Sequence, residues 1–475
     1  MLSLFVLLPF LAIVMLNLPL KTVTRQLALW FGIVLSAGQA FVVIFQPDVF
    51  WNGTDFFGRF FTLRLQADNL SMVMLLSIGI VTFAAILVGR QTIADSRLRF
   101  NFMNLVLLSL IGMNGMVLLS DLFSLYIFIE VVAISSFILI AFQRDLNALE
   151  GAFKYIILSA VATVLMLLSV SVLLMAAGDT SFSSVAAAVK NSSSSHFVRF
   201  AIGIFICGLF IKGGLVPFHG WLPAAYSTAP AAVSVLLAGI VTKVSGIYAL
   251  IRLSTSVFGP DSSLNAVLMI AGAVSIVIGA LAATGQSDFR RMLAYSSISQ
   301  VGYIILALGC GTKLALVGAV FHLFNHSIFK SLLFVNSAAV EQQTGTSDMD
   351  KMGGLGSRMP YTNATSLIAF LSTAGVPPLA GFWSKLIIII ALWQSGYYIY
   401  AFIAILTSII TLGYLLSMQR RVFFGILSDK LQAVQEAGFG IVFPACVLAA
   451  ITVGVGLSFP FIFNSFIIPM GAFLK

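Results

Sequence analysis

Charge is what this 475-residue chain has least of: 9% of its residues are Asp, Glu, Lys or Arg, against roughly 25% in a soluble globular protein. With 60% hydrophobic residues and a mean hydropathy of +1.07, that scarcity excludes a water-soluble fold and makes the chain an integral membrane protein. Cysteine is nearly missing too. Cys207, Cys310 and Cys446 stand alone in apolar segments without CxxC spacing, which excludes a cysteine-ligated iron–sulfur cluster within the chain and argues against a disulfide framework. No P-loop and no GxGxxG after a strand is found, nor any catalytic triad, so no cofactor is expected here and uphill transport must draw on an ion gradient or on partner subunits. The net charge of +9 forms no basic run, which argues against nucleic acid as a partner. The opening MLSLFVLLPFLAIVML lacks a basic n-region and an A-x-A site, and reads as a retained first helix.

What is abundant is apolar sequence in runs of spanning length. About 20 such residues cross a bilayer, and windows of that size predict helices near 2–20, 26–46, 70–90, 101–119, 121–142, 151–177, 198–216, 229–254, 264–284, 291–311, 313–340, 362–395, 398–419 and 437–463. The expectation is an all-α membrane protein of about fourteen transmembrane helices, because only helices this long satisfy their own backbone in lipid. The division expected is 1–100 (the first three spans), 101–256 (a five-helix repeat), 257–425 (a second five-helix repeat) and 426–475 (the last span). Loops after odd-numbered spans carry thirteen of the basic residues and the opposite face seven, Arg252 among the latter, so both termini are expected outside a cytoplasmic membrane. The longest excursion, 46–69, contains WNGTDFFGRFF, expected at the interface, and 192–195 reads as a flexible serine turn.

Five basic residues remain unassigned to loops, Lys154, Lys212, Lys243, Lys330 and Lys385, and one carboxylate, Glu130, falls well inside a span. Each costs roughly 3 kcal/mol on insertion scales, so such groups must pair, meet water or sit neutral, and they mark a functional site. A weak internal echo runs through them. IKGGLVPFHGWLP in the seventh span resembles STAGVPPLAGFWSK in the twelfth, and two five-helix units have opposite topologies because five is odd. Gly/Pro interruptions at matching places of two halves point to a transport site and predict discontinuous helices 7 and 12.

Glu130 lies in the fifth span, whose start Ser120 or Asp121 can cap, and is read as the partner of Lys212; the bland alternative is a lone packing ion pair. Burial disfavours an ammonium and a neighbouring carboxylate favours it, so a lysine whose partner moves is a switchable proton carrier. Lys212 precedes Gly213, Gly214 and Pro217, where freed carbonyls can hold water or a cation; its alternative is a snorkelling side chain. Lys243, mid-span, would be the next carrier. His219 in PFHGW is a relay or a hydrogen-bonded core histidine in equal measure. His322, His326 and Lys330 recur at i, i+4 and line one helix face, a stripe suited to proton transfer. Histidines at i, i+4 also have zinc-like spacing, but no carboxylate or thiolate stands nearby and a cation follows, so no metal is expected. Lys385 comes seven residues after Pro378 as a terminal carrier. Lys154, a possible relay, follows Glu150 by four residues and reads more readily as a surface pair.

DLFSLYIFIEVVAISSFILIA, KYIILSAVAT, FIKGGLVPFHGWLPAAYSTAPAAVSVLLAGIVTKVSGIYALIRL, GQSDFRRMLAYSSISQVGYIILALG, FHLFNHSIFKSLLF and AGVPPLAGFWSKL together resemble the antiporter-like subunits of respiratory complex I, Mrp-type Na⁺/H⁺ antiporters and membrane-bound hydrogenases. The likeness covers roughly 70–425, in order, and TGTSDMDKMGGL is most like the D-type member of the Mrp antiporters. The resemblance implies fourteen helices with inverted repeats. It implies that Glu130 and Lys212 form an ion pair, that Lys243 is the central lysine and Lys385 the lysine of the second broken helix, and that His322, His326 and Lys330 form a relay. It further implies a proton-translocating subunit, with Na⁺ exchange as a variant, working among other membrane subunits, homologous ones included, and lipid. The complex would be an Mrp antiporter or a redox-driven oxidoreductase of NADH dehydrogenase or hydrogenase type. The expected route runs from the basic face between Lys212 and Lys243, across the histidines, and out near Lys385. A stand-alone solute transporter or a scaffold whose polar row only fixes packing are the competing readings.

Overall fold

Acids are so scarce that their placement is informative, and the structure, a computed structural model, assigns several of them to helix starts. It describes residues 2–18, 21–46, 54–56, 63–191, 195–259 and 261–463; most of WNGTDFFGRFF and of the serine turn lies outside the described residues. In chain order the elements are α1 (Leu4–Leu16), α2 (Lys21–Phe45), the antiparallel ribbon β1 (Thr54–Phe56) and β2 (Leu63–Leu65), α3 (Asn69–Thr92), α4 (Ser96–Leu118), α5 (Leu122–Ile140), α6 (Leu146–Ala177), α7 (Phe182–Asn191) and α8 (His196–Gly213). Then come α9 (Trp221–Thr228), α10 (Ala231–Leu236), α11 (Ala249–Ser256), α12 (Ser262–Thr284), α13 (Phe289–Cys310) and α14 (Lys313–Thr344). The last are α15 (Pro360–Ala374), α16 (Ala380–Gln394), α17 (Tyr398–Phe423), α18 (Phe439–Leu457) and α19 (Phe459–Ile462). Between α10 and α11 the chain stays helical but widens to π winding over Leu237–Val241 and Lys243–Tyr248.

Among the described residues twelve helices are long and apolar enough to cross a membrane, α10 through α11 counting as one. The shorter α1 and the interrupted pair α15/α16 complete the fourteen expected spans. Two spans break where glycine and proline predict. The first stops at Gly213, with Gly214 at φ +67, and resumes as α9; the second stops at Ala374, with Gly375 at φ +87, and resumes as α16. Positive φ suits glycine, and the prolines that follow cannot donate the next helical bonds. The amphipathic α7 went unpredicted because ten residues escape a twenty-residue window.

The chain divides into two compact units: Met1–Ile86, Ala94–Gly214 and Ile240–Asp261 form the first, and Leu87–Ile93, Leu215–Gly239 and Ser262–Lys475 the second. In the first unit Asp121 caps α5 through Ser124 N at 2.7 Å and also accepts from Thr180 Oγ1 at 2.5 Å, in the loop after α6. In the second, Asp288 caps α13 through Arg291 N at 2.7 Å and accepts from Ser347 Oγ, in the loop after α14. The two devices occupy corresponding places of the two expected repeats, a likeness that the broken helices alone had suggested. Capping of this kind contributes about 1 kcal/mol per helix.

The helices that carry Lys243, the paired histidines and Lys330 are interior ones, as is α13 beside them. The most apolar stretches of Ala231–Ser256, Phe289–Cys310 and Lys313–Thr344 are almost wholly buried, whereas that of Leu146–Ala177 is mostly not and turns Phe153, Val161, Val164 and Leu168 outward. In the second unit α12 and α13 approach backbone to backbone: a Cβ on Gly272 would lie 2.5 Å from Leu306 N, and one on Gly279 equally near Ser299 N. Small residues permit such contact where no hydrophobic effect drives helices together.

Candidate functional site

In the first unit Lys212, at the last turn of α8, is buried, and its Nζ donates to Glu130 Oε1 of α5 at 2.9 Å and to Ser159 Oγ of α6 at 2.7 Å. The two halves of the ion pair differ in setting, since the lysine side chain is 1% exposed and the glutamate 24%. Lys243 is 1% exposed on the π-wound stretch and donates to Thr242 Oγ1 at 3.2 Å. Its segment lies directly on the end of α8. A Cβ built on Gly246 would sit 2.4 Å from Gly213 Cα and 3.1 Å from the carbonyl carbon of Lys212. Gly246, one turn after Lys243, therefore lets the backbones that carry Lys212 and Lys243 touch. π winding leaves helical carbonyls displaced from their usual partners and recurs at functional positions.

In the second unit Lys385, on the first turn and a half of α16, reaches back across the break. Its Nζ donates to the carbonyls of Thr373 at 2.8 Å and Ala374 at 3.4 Å, and to Ser408 Oγ at 3.1 Å. The carbonyls freed at the end of α15 thus meet a cation, the arrangement favoured at the negative end of a helix dipole. The same ammonium lies 4.7 Å from the Tyr303 ring centroid. His322 packs 5.9 Å from that ring, centroid to centroid, and its Nδ1 shares a 2.9 Å hydrogen bond with Ser384 Oγ. His326 follows at 6.2 Å from His322, and Lys330 donates to Ser296 Oγ at 2.6 Å and Leu293 O at 3.4 Å. All four ionisable groups are buried.

The remaining sequence-derived candidates stand apart. Lys154 is half-exposed and bound to Glu150 at 2.5 Å. His219 lies between α8 and α9, half-buried, with no partner for Nδ1 among the described residues. Arg252, counted from sequence as a loop residue, is instead largely buried on α11, where it forms a two-pronged ion pair with Asp68 and bonds to Ser71 Oγ at 3.0 Å. Burial pushes the Asp68 carboxyl up, but the bonds and charge of Arg252 outweigh it and hold the group below the usual carboxylate range. The oxygens that receive the lysines, those of Ser159, Ser296 and Ser408, were not singled out from sequence; runs such as AYSSIS in an otherwise apolar helix are the signal. Among the described residues no cluster of His, Cys, Asp and Glu could hold a metal.

A family model described as NADH:quinone oxidoreductase/Mrp antiporter, TM, matches residues 120–411. The chain is 33% identical over 402 residues to the D subunit of the Na(+)/H(+) antiporter of Alkalihalophilus pseudofirmus, covering 84% of this chain and 81% of that one. It is 33% identical over 377 residues to the N subunit of the NADH-quinone oxidoreductase of Desulforudis audaxviator, covering 78% and 75%. A chain in the Mrp complex from Dietzia sp. DQ12-45-1b superposes with a TM-score of 0.91 at 23% identity, covering 100% of this chain and 98% of that one. One in an archaeal membrane-bound sulfane sulfur reductase superposes with 0.85 at 27%, covering 96% and 76%.

Proposed function

Because the chain belongs to the NADH:quinone oxidoreductase/Mrp antiporter membrane family, we propose that it is a proton-translocating, antiporter-like subunit of a multisubunit membrane complex. Na⁺ as the exchanged ion is supported by the 33% identity to a protein named as part of an Na(+)/H(+) antiporter. Other membrane subunits are its partners, in keeping with the assemblies to which both structural neighbours belong. The termini lie outside a cytoplasmic membrane, in keeping with the basic residues gathered on the opposite face.

The observation that carries the reading is the pair of Lys212 and Glu130, one partner sealed and the other partly exposed. When the carboxylate withdraws or takes up a proton, the lysine keeps only the neutral Ser159 hydroxyl and releases its own proton toward the adjoining Lys243 segment. In the second unit His322, His326, Lys330 and Lys385 carry protons among hydroxyl and carbonyl groups that stay neutral throughout. Direct redox chemistry is left to partner subunits.

A double-mutant cycle tests this. Removing one partner of a buried ion pair costs about 3–5 kcal/mol, so Glu130→Gln should lower assembly as well as flux. Adding Lys212→Met removes the stranded charge. The double variant should recover assembly and remain without ion-coupled flux in vesicles that hold the whole complex. Recovery of flux along with assembly would reduce the pair to a packing device. Subunits that co-purify then decide the energy source: iron–sulfur partners mean a redox pump, small hydrophobic ones an antiporter.

A further inference from the structure

Ser296, Gln300 and Tyr303 follow one another on α13 at i, i+4 and i+7, so their side chains share one face. The two ends of that row are occupied. Ser296 Oγ accepts from Lys330 Nζ at 2.6 Å and from Tyr414 OH at 2.7 Å. Tyr303 presents its ring to Lys385 and His322, and its OH donates to Ala404 O at 2.7 Å. Gln300 stands between them, fully buried, and neither Oε1 nor Nε2 finds a hydrogen-bond partner among the described residues.

A primary amide offers two donors and an acceptor with two lone pairs. Leaving such groups buried and unmet is costly, and in polar interiors ordered water usually supplies the partner. Gln300 is not isolated in this respect. His322 Nε2 and Asn336 Nδ2 on α14, with Arg290 Nε on α13 and Glu341 Oε2 on α14, are likewise buried without a partner. Outside these two helices the same condition is met among the described residues only at Thr82, His219 and Ser254. Unmet polar atoms thus gather on the two helices that bear the buried histidines and Lys330.

We infer that Gln300 is a positioning residue that orients a short file of water between the Lys330–Ser296 bond and the Lys385–Tyr303–His322 cluster. The amide donates to one water and accepts from the next, which fixes the direction of the file without binding or losing a proton itself. An apolar side chain of similar bulk offers neither donor nor acceptor and would break the file. The inference deepens the proton-translocating reading and rests on it.

The test uses the whole complex in everted membrane vesicles, with proton movement followed by a ΔpH-sensitive dye. Gln300→Leu should lower the rate at least tenfold at wild-type assembly, and Gln300→His, which keeps a donor and an acceptor at similar reach, should return it to within about threefold. Lys385→Met serves as the reference. An inactive Lys385→Met beside a fully active Gln300→Leu overturns the inference alone, whereas a fully active Lys385→Met overturns the translocation reading and the inference with it. Pulsed hydroxyl-radical labelling of the purified wild-type complex gives an independent readout that does not depend on any variant folding. Tyr303 and His322 should be labelled despite their burial, because radicals form from adjacent water, and both unlabelled would overturn the file.

Discussion

Gly246→Ala probes the first unit at its tightest point. The added methyl would sit 2.4 Å from Gly213 Cα and 2.5 Å from Gly213 N, where non-bonded carbons prefer about 3.5–4.0 Å. The obstructing atoms are backbone, so no rotamer relieves the clash and the two segments must part by about 1 Å. Overpacking of that order costs about 1–3 kcal/mol, and a 1 Å misplacement of reacting groups slows a reaction about 10²-fold. Gly213→Ala is the control. Its Cβ would meet Ile247 Cδ1 at 2.9 Å, the end of a side chain that can turn away. Gly246→Ala should therefore lower proton flux tenfold to a hundredfold in vesicles normalised for assembled complex, while Gly213→Ala stays within about twofold. Equal behaviour of the two variants, or wild-type flux in Gly246→Ala, would refute the idea that this glycine contact sets the distance between the lysines.

Lys385→Arg keeps the charge and the hydrogen bonds to Thr373 and Ala374 but never gives up its proton, so assembly should persist while flux is lost; retained flux would mean that Lys385 does not cycle. Ser384→Ala deprives His322 Nδ1 of its 2.9 Å partner, a loss of about 1 kcal/mol that should slow flux roughly fivefold and move its pH profile. Asp68→Asn weakens the Arg252 clamp and should destabilise the complex by about 1–3 kcal/mol at pH 7, read by thermal unfolding. Because the folded Asp68 carboxyl is held below its ordinary value, its contribution is present above the unfolded value of ~3.9 and fades as pH falls through the folded one. The gap between wild type and Asp68→Asn should accordingly close in acid, and a gap that widens would contradict the clamp.

How much of this was legible beforehand varies with the kind of residue. The broken helices were visible because glycine and proline act on the backbone wherever they stand, and GGLVP and AGVPP name the break in both cases. The buried lysines and Glu130 were visible because a charge in an apolar run has few explanations. Serine carries no such mark. Ser297 and Ser327 return their hydroxyls to carbonyls four residues earlier on their own helices, to Leu293 and Leu323, while Ser159 and Ser296 receive lysines from distant helices. Both habits suit the same residue in the same kind of sequence, and only the folded arrangement separates them. The π winding around Lys243 was equally silent, since its residues are those of an ordinary spanning helix.

The way Lys385 is held has a consequence for control. Lys212 answers to a carboxylate, whose grip can be abolished by a single proton, so the first unit can be switched by chemistry. Lys385 answers to the carbonyl ends of α15, and a carbonyl takes up no proton near neutrality. That hold loosens only when Lys385 sheds its own proton or the chain moves at Gly375, so the receiving side of the second unit is untitratable where that of the first is a carboxylate.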